Sequence, residues 1–222
     1  MMRVTFLDHS GFFIELDSVC LLFDWWRGEL PSLPGKPLIV FASHAHDDHF
    51  SPAIFSLPAA AFVLGADIDR AGTPENCLSV GGGETVSPLA GVTVETLSST
   101  DEGVAFLVTA ENKTIFHAGD LNWWHWAGEP DPWNPDMEKM FRAYTAPLAG
   151  RAIDLALLPL DPRLEEDGFR GPKHFLETAD IRRWIPMHQW GKFAFTDRFL
   201  ACYPVFAAKA VPVLRKGQIF EF

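Results

Sequence analysis

The stretch Ser43-His44-Ala45-His46-Asp47-Asp48-His49-Phe50 concentrates side chains that can do chemistry: five of its eight residues can bind a metal. Neutral imidazole nitrogen and carboxylate oxygen together suit zinc, and also iron or manganese. In extended backbone alternate side chains face the same way, so His44 and His46 can share one ion. Asp48 and His49, two residues further on, can turn toward a second point. Asp47 is the weakest member and reads as a solvated or turn-capping carboxylate. The plain alternative is a histidine-rich surface loop without metal. Four ligand-type residues at this spacing behind a core strand argue against it.

That strand is the run just before the loop, Leu38-Ile39-Val40-Phe41-Ala42. It is short, β-branched and aromatic, and Pro37 and Ser43 bound it, which is the pattern of a buried strand. Two other strands end in chemistry. Lys113–Phe116 leads into His117-Ala118-Gly119-Asp120, where a glycine permits close approach and a carboxylate is presented. Trp184-Ile185-Pro186-Met187 leads into His188. Arg3–Leu7, Gly11–Leu16 and Val19–Phe23 form a meander with turns at His9-Ser10-Gly11 and Asp17-Ser18. Further strands are expected at Ala60–Leu64, Cys77–Val80, Val92–Leu97, Val104–Val108 and Ile153–Leu158. Helices are expected from Ser51-Pro52 to about Leu57, as one turn over Asp67–Ala71, and from Asn134 as N-cap with Met137, Met140, Phe141 and Tyr144 on one buried face. Two more run from Gly171 to about Arg183 and from about Thr196, and a strand pair around Gly217 closes the chain. Gly81-Gly82-Gly83 is a turn; it lacks the lysine of a phosphate loop.

Two aromatic stretches lie between these elements. The connection Leu121–Trp133 is long and without periodicity, and its tryptophans suit a pocket wall, with His125 available as proton donor or substrate contact. Trp25-Trp26 suits either a core cap or a wall. Asp161 and Arg163 can pair with each other, or Arg163 can hold a substrate anion.

With 222 residues, 48% hydrophobic and 21% charged, the chain can bury one core, and no linker or repeat divides it, so a single domain over residues 1–222 is expected. No apolar run is long enough to span a bilayer. The first residues enter a strand pattern without a signal-peptide layout, which makes cytoplasmic the default location. Cys20, Cys77 and Cys202 are scattered and odd in number, so they read as free thiols. A formal charge of −11 argues against nucleic acid as partner and leaves a small molecule as the expected one. Nothing in the composition sets an oligomeric state.

The spacing His-x-His-x-Asp-His behind a core strand resembles the metallo-β-lactamase-fold superfamily of metal-dependent hydrolases, and in particular its ascorbate-phosphate-lactonase-like and phospholipase-D-type members. The resemblance runs from Asp24 to His188. It implies an α/β four-layer αββα sandwich with one or two divalent ions, zinc first and manganese or iron next, at the sheet ends. It assigns His44 and His46 to one ion, Asp48, His49 and His188 to the other, and Asp120 to the position between them. It also places Asp24 at a strand end beside the site, His9 below it, and His117 behind Asp120. The start of the helix at His174 falls near the ions, making His174 a further site candidate. One family ligand is missing. Where a histidine usually follows the strand Val92–Leu97, this chain has Ser98-Ser99-Thr100-Asp101-Glu102-Gly103; either Asp101 substitutes, or a water does, or the first site is weak and one metal serves, and Asp101 facing the site is the favoured reading. A carboxylate there would shift preference toward harder ions. The implied activity is hydrolysis of an ester, lactone, amide or phosphodiester, with Asp48 accepting a proton and His125 or His174 donating one. Two alternatives keep the fold: a metal- or ligand-binding module without turnover, and a di-iron redox enzyme.

Overall fold

A computed structural model describes all residues, Met1–Phe222. The elements in chain order are β1 (Arg3–Asp8), β2 (Gly11–Glu15), β3 (Cys20–Phe23), β4 (Leu38–Ala42), β5 (Ala61–Gly65), β6 (Cys77–Val80), β7 (Thr85–Leu89), β8 (Val92–Ser98), β9 (Val104–Ala110), β10 (Lys113–His117), α1 (Trp133–Thr145), β11 (Ala152–Pro159), α2 (Arg170–Thr178), β12 (Asp180–Met187), α3 (Phe195–Cys202) and β13 (Ile219–Glu221). The order β13-β1-β2-β3-β4-β5-β6 makes one seven-stranded sheet, and β12-β11-β10-β9-β8-β7 makes a second of six.

Strand direction explains where the chemistry gathers. β3 to β6 pair in parallel, as do β10 to β12, and the remaining neighbours are antiparallel. It follows that β1, β3 and β4 run one way in the first sheet, and β8, β10, β11 and β12 run one way in the second. The segments leaving their carboxyl ends carry His9, Asp24, the histidine loop, Asp101, Asp120, Asp161 and His188. Residues from seven places in the chain thus emerge at strand ends, the common place for sites in sheets with parallel strands.

β4 shows why its run is apolar without alternation. Ile39 and Phe41 belong to a cluster of 52 buried residues that joins both sheets, while Leu38, Val40 and Ala42 belong to a second cluster of 12 on the outer face. A strand covered on both sides needs no polar face. On the outside of the second sheet, Phe141 of α1 packs on Phe175 of α2, Phe175 on Phe116 of β10, and Phe199 of α3 on Trp184 of β12, with ring centroids 5.3, 5.5 and 5.4 Å apart. Two sheets with helices outside agree with the expected sandwich, but the layer over the first sheet is thin. It is a 3-10 turn at Pro52–Ser56 plus loops that contribute Leu30, Leu33 and Ile68.

The short helix expected after Ser51 does form, as a 3-10 helix over Pro52–Ser56, and the Ser51 hydroxyl caps it by accepting from the Ala53 N–H. Several local expectations need correction. No helix forms at Asp67–Ala71. The helix expected from Gly171 to Arg183 stops at Thr178, because Asp180–Met187 pairs with β11 and buries Ile181, Trp184, Ile185 and Met187. α1 starts at Trp133, so Asn134 is not its cap. Its side chain instead accepts from the Trp126 N–H and donates to the Trp126 carbonyl. β7 was not anticipated, since Pro88 interrupts its pattern and its pairing with β8 shifts register. The closing strand pair resolves into two attachments: Ala210 bridges Trp184 in one sheet, and β13 pairs with β1 in the other.

Candidate metal centre

The histidine loop is held from below. Asp24, at the end of β3, is fully buried. It accepts from the Ser43 N–H at 2.8 Å and the Ser43 hydroxyl at 2.7 Å, and it lies 2.7 Å from His49 Nδ1. One carboxylate therefore pins both the exit of β4 and the far ring of the loop. Asp161 does the same for His188 after β11, with Oδ2 2.9 Å from Nδ1. His44 Nδ1 meets the Ser43 hydroxyl at 2.9 Å. Each of the three rings is thus held through Nδ1, and Nε2 is left facing inward.

Those inward atoms have nowhere else to go. His44 Nε2, His49 Nε2, His188 Nε2, His9 Nε2 and Asp120 Oδ1 are buried and without a hydrogen-bond partner. Asp120 stands among them: Oδ1 is 3.2 Å from His49 Nε2, and Oδ2 is 3.4 Å from His188 Nε2 and 4.0 Å from His44 Nε2. These approaches lie off the line of a straight hydrogen bond, which is how ligands around a common ion sit. Buried polar atoms left unpaired are costly, so their convergence is the observation that fits a divalent cation to this site.

The side chains fall into three overlapping sets whose ligand atoms lie within 4.8 Å of one another. They are His44, His46 and Asp101; His44, His49 and Asp120; and His9, Asp48, His49 and His188. The structure therefore gathers all seven candidate metal ligands, namely His44, His46, Asp48, His49, Asp101, Asp120 and His188. Asp101, the favoured substitute for the absent histidine, lies 3.2 Å from His46 Nδ1. His9, expected only as a support, brings its own Nε2 to 3.3 Å from Asp48 Oδ2. His117 does stand behind: Nε2 lies 2.9 Å from the Ser10 carbonyl, and Nδ1 accepts from the Gly119 N–H.

Electrostatics agree with a cation site. Burial works against a charged ring at His188, yet Asp120 and Asp161 outweigh it and raise that imidazole to about 9. His49 is likewise pulled well above its ordinary value against burial, chiefly by Asp120 and Asp24. His44 goes the other way, to about 4, because burial and the His49 charge dominate. Burial would raise Asp48, but the His9 ring beside it and the His49 charge hold it well below the usual range, so it is ionised at neutral pH. Burial and the Asp120 charge raise Asp101.

Backbone strain marks the same place. His9, Asp24 and His188 have φ of 53°, 43° and 60°, in the left-handed region that residues other than glycine uncommonly enter, though aspartate and histidine do so more readily than most. Gly103, with φ of 65°, lets its loop pass the histidine loop, since a Cβ there would lie 1.9 Å from the Ser43 carbonyl oxygen.

A cavity of about 260 Å³ opens over these groups. Trp124, Trp126, Trp133 and Met137 line one part of it, so the aromatic connection does wall a pocket. Trp123 does not take part and packs on Phe141. Trp25 and Trp26 do not line it either, and Trp25 belongs with the outer cluster of the first sheet. Two expected proton donors are displaced. His125 points away, its nearest charged partner being Asp167 at 3.9 Å. His174 lies on the far side of Trp123, 3.0 Å from the Thr145 hydroxyl and against Phe141, lining a different cavity. α2 begins four residues before it, so its position is set by packing on α1 rather than by the strand ends. Asp161 escaped sequence reading as a support of His188. The usable signal was a buried apolar strand ending in aspartate, as β3 does at Asp24.

Residues 3–124 match the family described as the beta-lactamase superfamily domain. A UPF0173 metal-dependent hydrolase of Desulforamulus reducens is 30% identical over 215 residues, covering 84% of each chain. A protein of the same description from Opitutus terrae is 32% identical over 215 residues, again with 84% of each chain covered. Among solved structures, Igni18, a metallo hydrolase from Ignicoccus hospitalis, superposes with a TM-score of 0.69 at 18% identity, over 100% of this chain and 99% of its own. CmlA, a diiron beta-hydroxylase from Streptomyces venezuelae, shares the fold with a TM-score of 0.66 at 11% identity, over 100% of this chain and 54% of its own. With its strand-end histidines and carboxylates gathered under two sheets, this chain belongs to the beta-lactamase superfamily.

Proposed function

We propose that the protein is a metal-dependent hydrolase that cleaves an ester, lactone, amide or phosphodiester bond of a small molecule in the cavity above Asp120. The observation that carries this reading is the convergence of three unpartnered imidazole nitrogens, those of His44, His49 and His188, on Asp120 beneath a tryptophan-walled cavity. The lactone option comes from the resemblance to lactonase-like members, and the relatives' own descriptions add metal-dependent hydrolysis without naming a bond.

His44, His46 and Asp101 would hold one divalent ion, Asp48, His49 and His188 the other, and Asp120 would lie between. When bound, such ions supply Lewis acidity and lower the pKa of a coordinated water to roughly 7. The remaining work falls to the chain. Asp48, ionised and beside the His9 ring, accepts a proton at a carboxylate oxygen. Asp24 and Asp161 keep His49 and His188 with Nε2 inward. The tryptophan wall excludes bulk water from the reacting bond. Zinc is the first choice of metal. The carboxylate at Asp101 favours manganese or iron at the first position more than a histidine would, and bound iron would appear as visible absorbance.

The test is metal analysis of the purified protein followed by a panel of aryl esters, lactones and bis-aryl phosphates. Turnover that falls by a factor of about 100 to 1,000 in Asp120→Ala, on the order of the loss seen when one electrostatic group is removed, supports the reading. A fully metallated protein inert on every member of the panel would make it a binding module instead.

A further inference from the structure

We infer that Arg163 is the specificity residue of this cavity and that the substrate is a small anion, carrying a carboxylate or phosphate beside the bond that breaks. This inference rests on the reading of the cavity as a hydrolytic site. Arg163 is the only arginine or lysine that lines it. Asp161 takes one edge of the guanidinium: Nε lies 2.8 Å and Nη2 2.5 Å from Asp161 Oδ2. Nη1 makes no hydrogen bond within the chain, and the side chain is 43% exposed. A guanidinium carries five N–H donors in one plane, so with the Asp161 edge occupied its end-on edge remains available.

That plane is fixed. The guanidinium carbon stands 4.7 Å from the centre of the Trp190 ring and 5.6 Å from that of Trp126. Held by two aromatic faces and one carboxylate, the fork loses little freedom when it meets an oxyanion, and its geometry suits two oxygens at once. Pairing with Asp161 does not by itself account for an arginine here. The Asp161 carboxylate already accepts from the Arg163 backbone N–H and lies beside the His188 ring. The same Asp161 oxygen meets both the guanidinium and His188 Nδ1, so a bound anion sits close to the reacting centre and the substrate must be short. A cavity of about 260 Å³ agrees, lying just below the usual range for small-molecule sites, roughly 300–1,000 Å³.

Two paired measurements on metal-loaded protein test this. In the first, kcat and KM are compared for the p-nitrophenyl half-ester of glutarate, which is anionic, and p-nitrophenyl valerate, which is neutral. In the second, calorimetric binding of benzoate and of phenyl phosphate is compared with that of benzamide, with metal content assayed in every sample. Charge-assisted hydrogen bonds of this kind are worth about ten- to a hundredfold in affinity. The anionic-to-neutral ratio of kcat/KM should therefore fall at least tenfold in Arg163→Gln, through KM, and benzoate binding should weaken by a similar factor. Preference for benzoate over phenyl phosphate identifies a carboxylate, and the reverse a phosphate. If no ester, lactone or bis-aryl phosphate is turned over, the hydrolase reading fails while the benzoate arm still decides this one. If Arg163→Gln loses metal, Arg163→Lys decides alone, since it leaves a cation for Asp161 but removes the fork. Unchanged discrimination between benzoate and benzamide in a fully metallated variant overturns the inference.

Discussion

Replacing Asp24 by asparagine isolates the support beneath the histidine loop. The substitution conserves shape, and asparagine tolerates the φ of 43° at this position. What changes is hydrogen-bond chemistry. The Asp24 Oδ2 atom faces both the Ser43 hydroxyl and His49 Nδ1, and Oδ1 accepts from the Ser43 N–H. An amide offers one acceptor and one donor where the carboxylate offers two acceptors. With its NH₂ toward His49, Nδ1 must become an acceptor, and the ring proton moves to Nε2, the atom that faces Asp120. Metal affinity should then fall about 10- to 100-fold, the usual cost of losing such a support. With its oxygen toward His49, the NH₂ confronts the buried Ser43 N–H instead. Metal affinity is then kept, but unfolding free energy falls by about 1–3 kcal/mol for the unpaired donor. Competition against a chromogenic chelator measures the first outcome, and denaturant unfolding of the chelator-stripped protein measures the second. Wild-type values in both would refute the claim that Asp24 orients His49 and anchors Ser43.

Gly103→Ala should cost at least about 3 kcal/mol of stability or prevent recovery of folded protein, read from the denaturation midpoint, because the added carbon meets backbone rather than a movable side chain. Asp101→His should restore the set common in the family and raise the zinc-to-manganese ratio bound from an equimolar mixture, as read by elemental analysis. Asp8 ties Arg27 and Lys216, the latter at 2.6 Å. Burial alone would raise its carboxyl, but the hydrogen bonds and charges of Lys216 and Arg27 bring it below the ordinary 3.8. Its contribution is therefore complete above the unfolded value of about 3.9 and is lost as pH falls through the lower folded value. The stability difference between wild type and Asp8→Asn should be flat above pH about 5 and shrink in acid. A difference that instead grew on acidification would show that Asp8 is not held ionised.

The contiguous parts of the site are legible in the chain alone. A buried strand leaves a fixed exit, and four ligand-type residues directly after Ala42 must cluster there whatever the rest of the chain does. The strand ends at Asp120 and His188 were legible for the same reason, as was the aromatic wall that follows Asp120. Which distant residues stand together depends on how the strands pair. That Asp24 and Asp161 each hold a histidine shows only when β3 is laid beside β4 and β11 beside β12, which brings each under one. His125 and His174 have suitable chemistry and the wrong positions, because the path of a loop and the face of a helix are set by packing against Trp123 and Phe141, not by residue type. Asp101 reaches the site because β8 runs in the same direction as β10, a matter of pairing across the whole second sheet. Periodicity and motif spacing report on neighbours in the chain, whereas a site assembled from seven strand ends depends on which strands lie side by side and which way each one points.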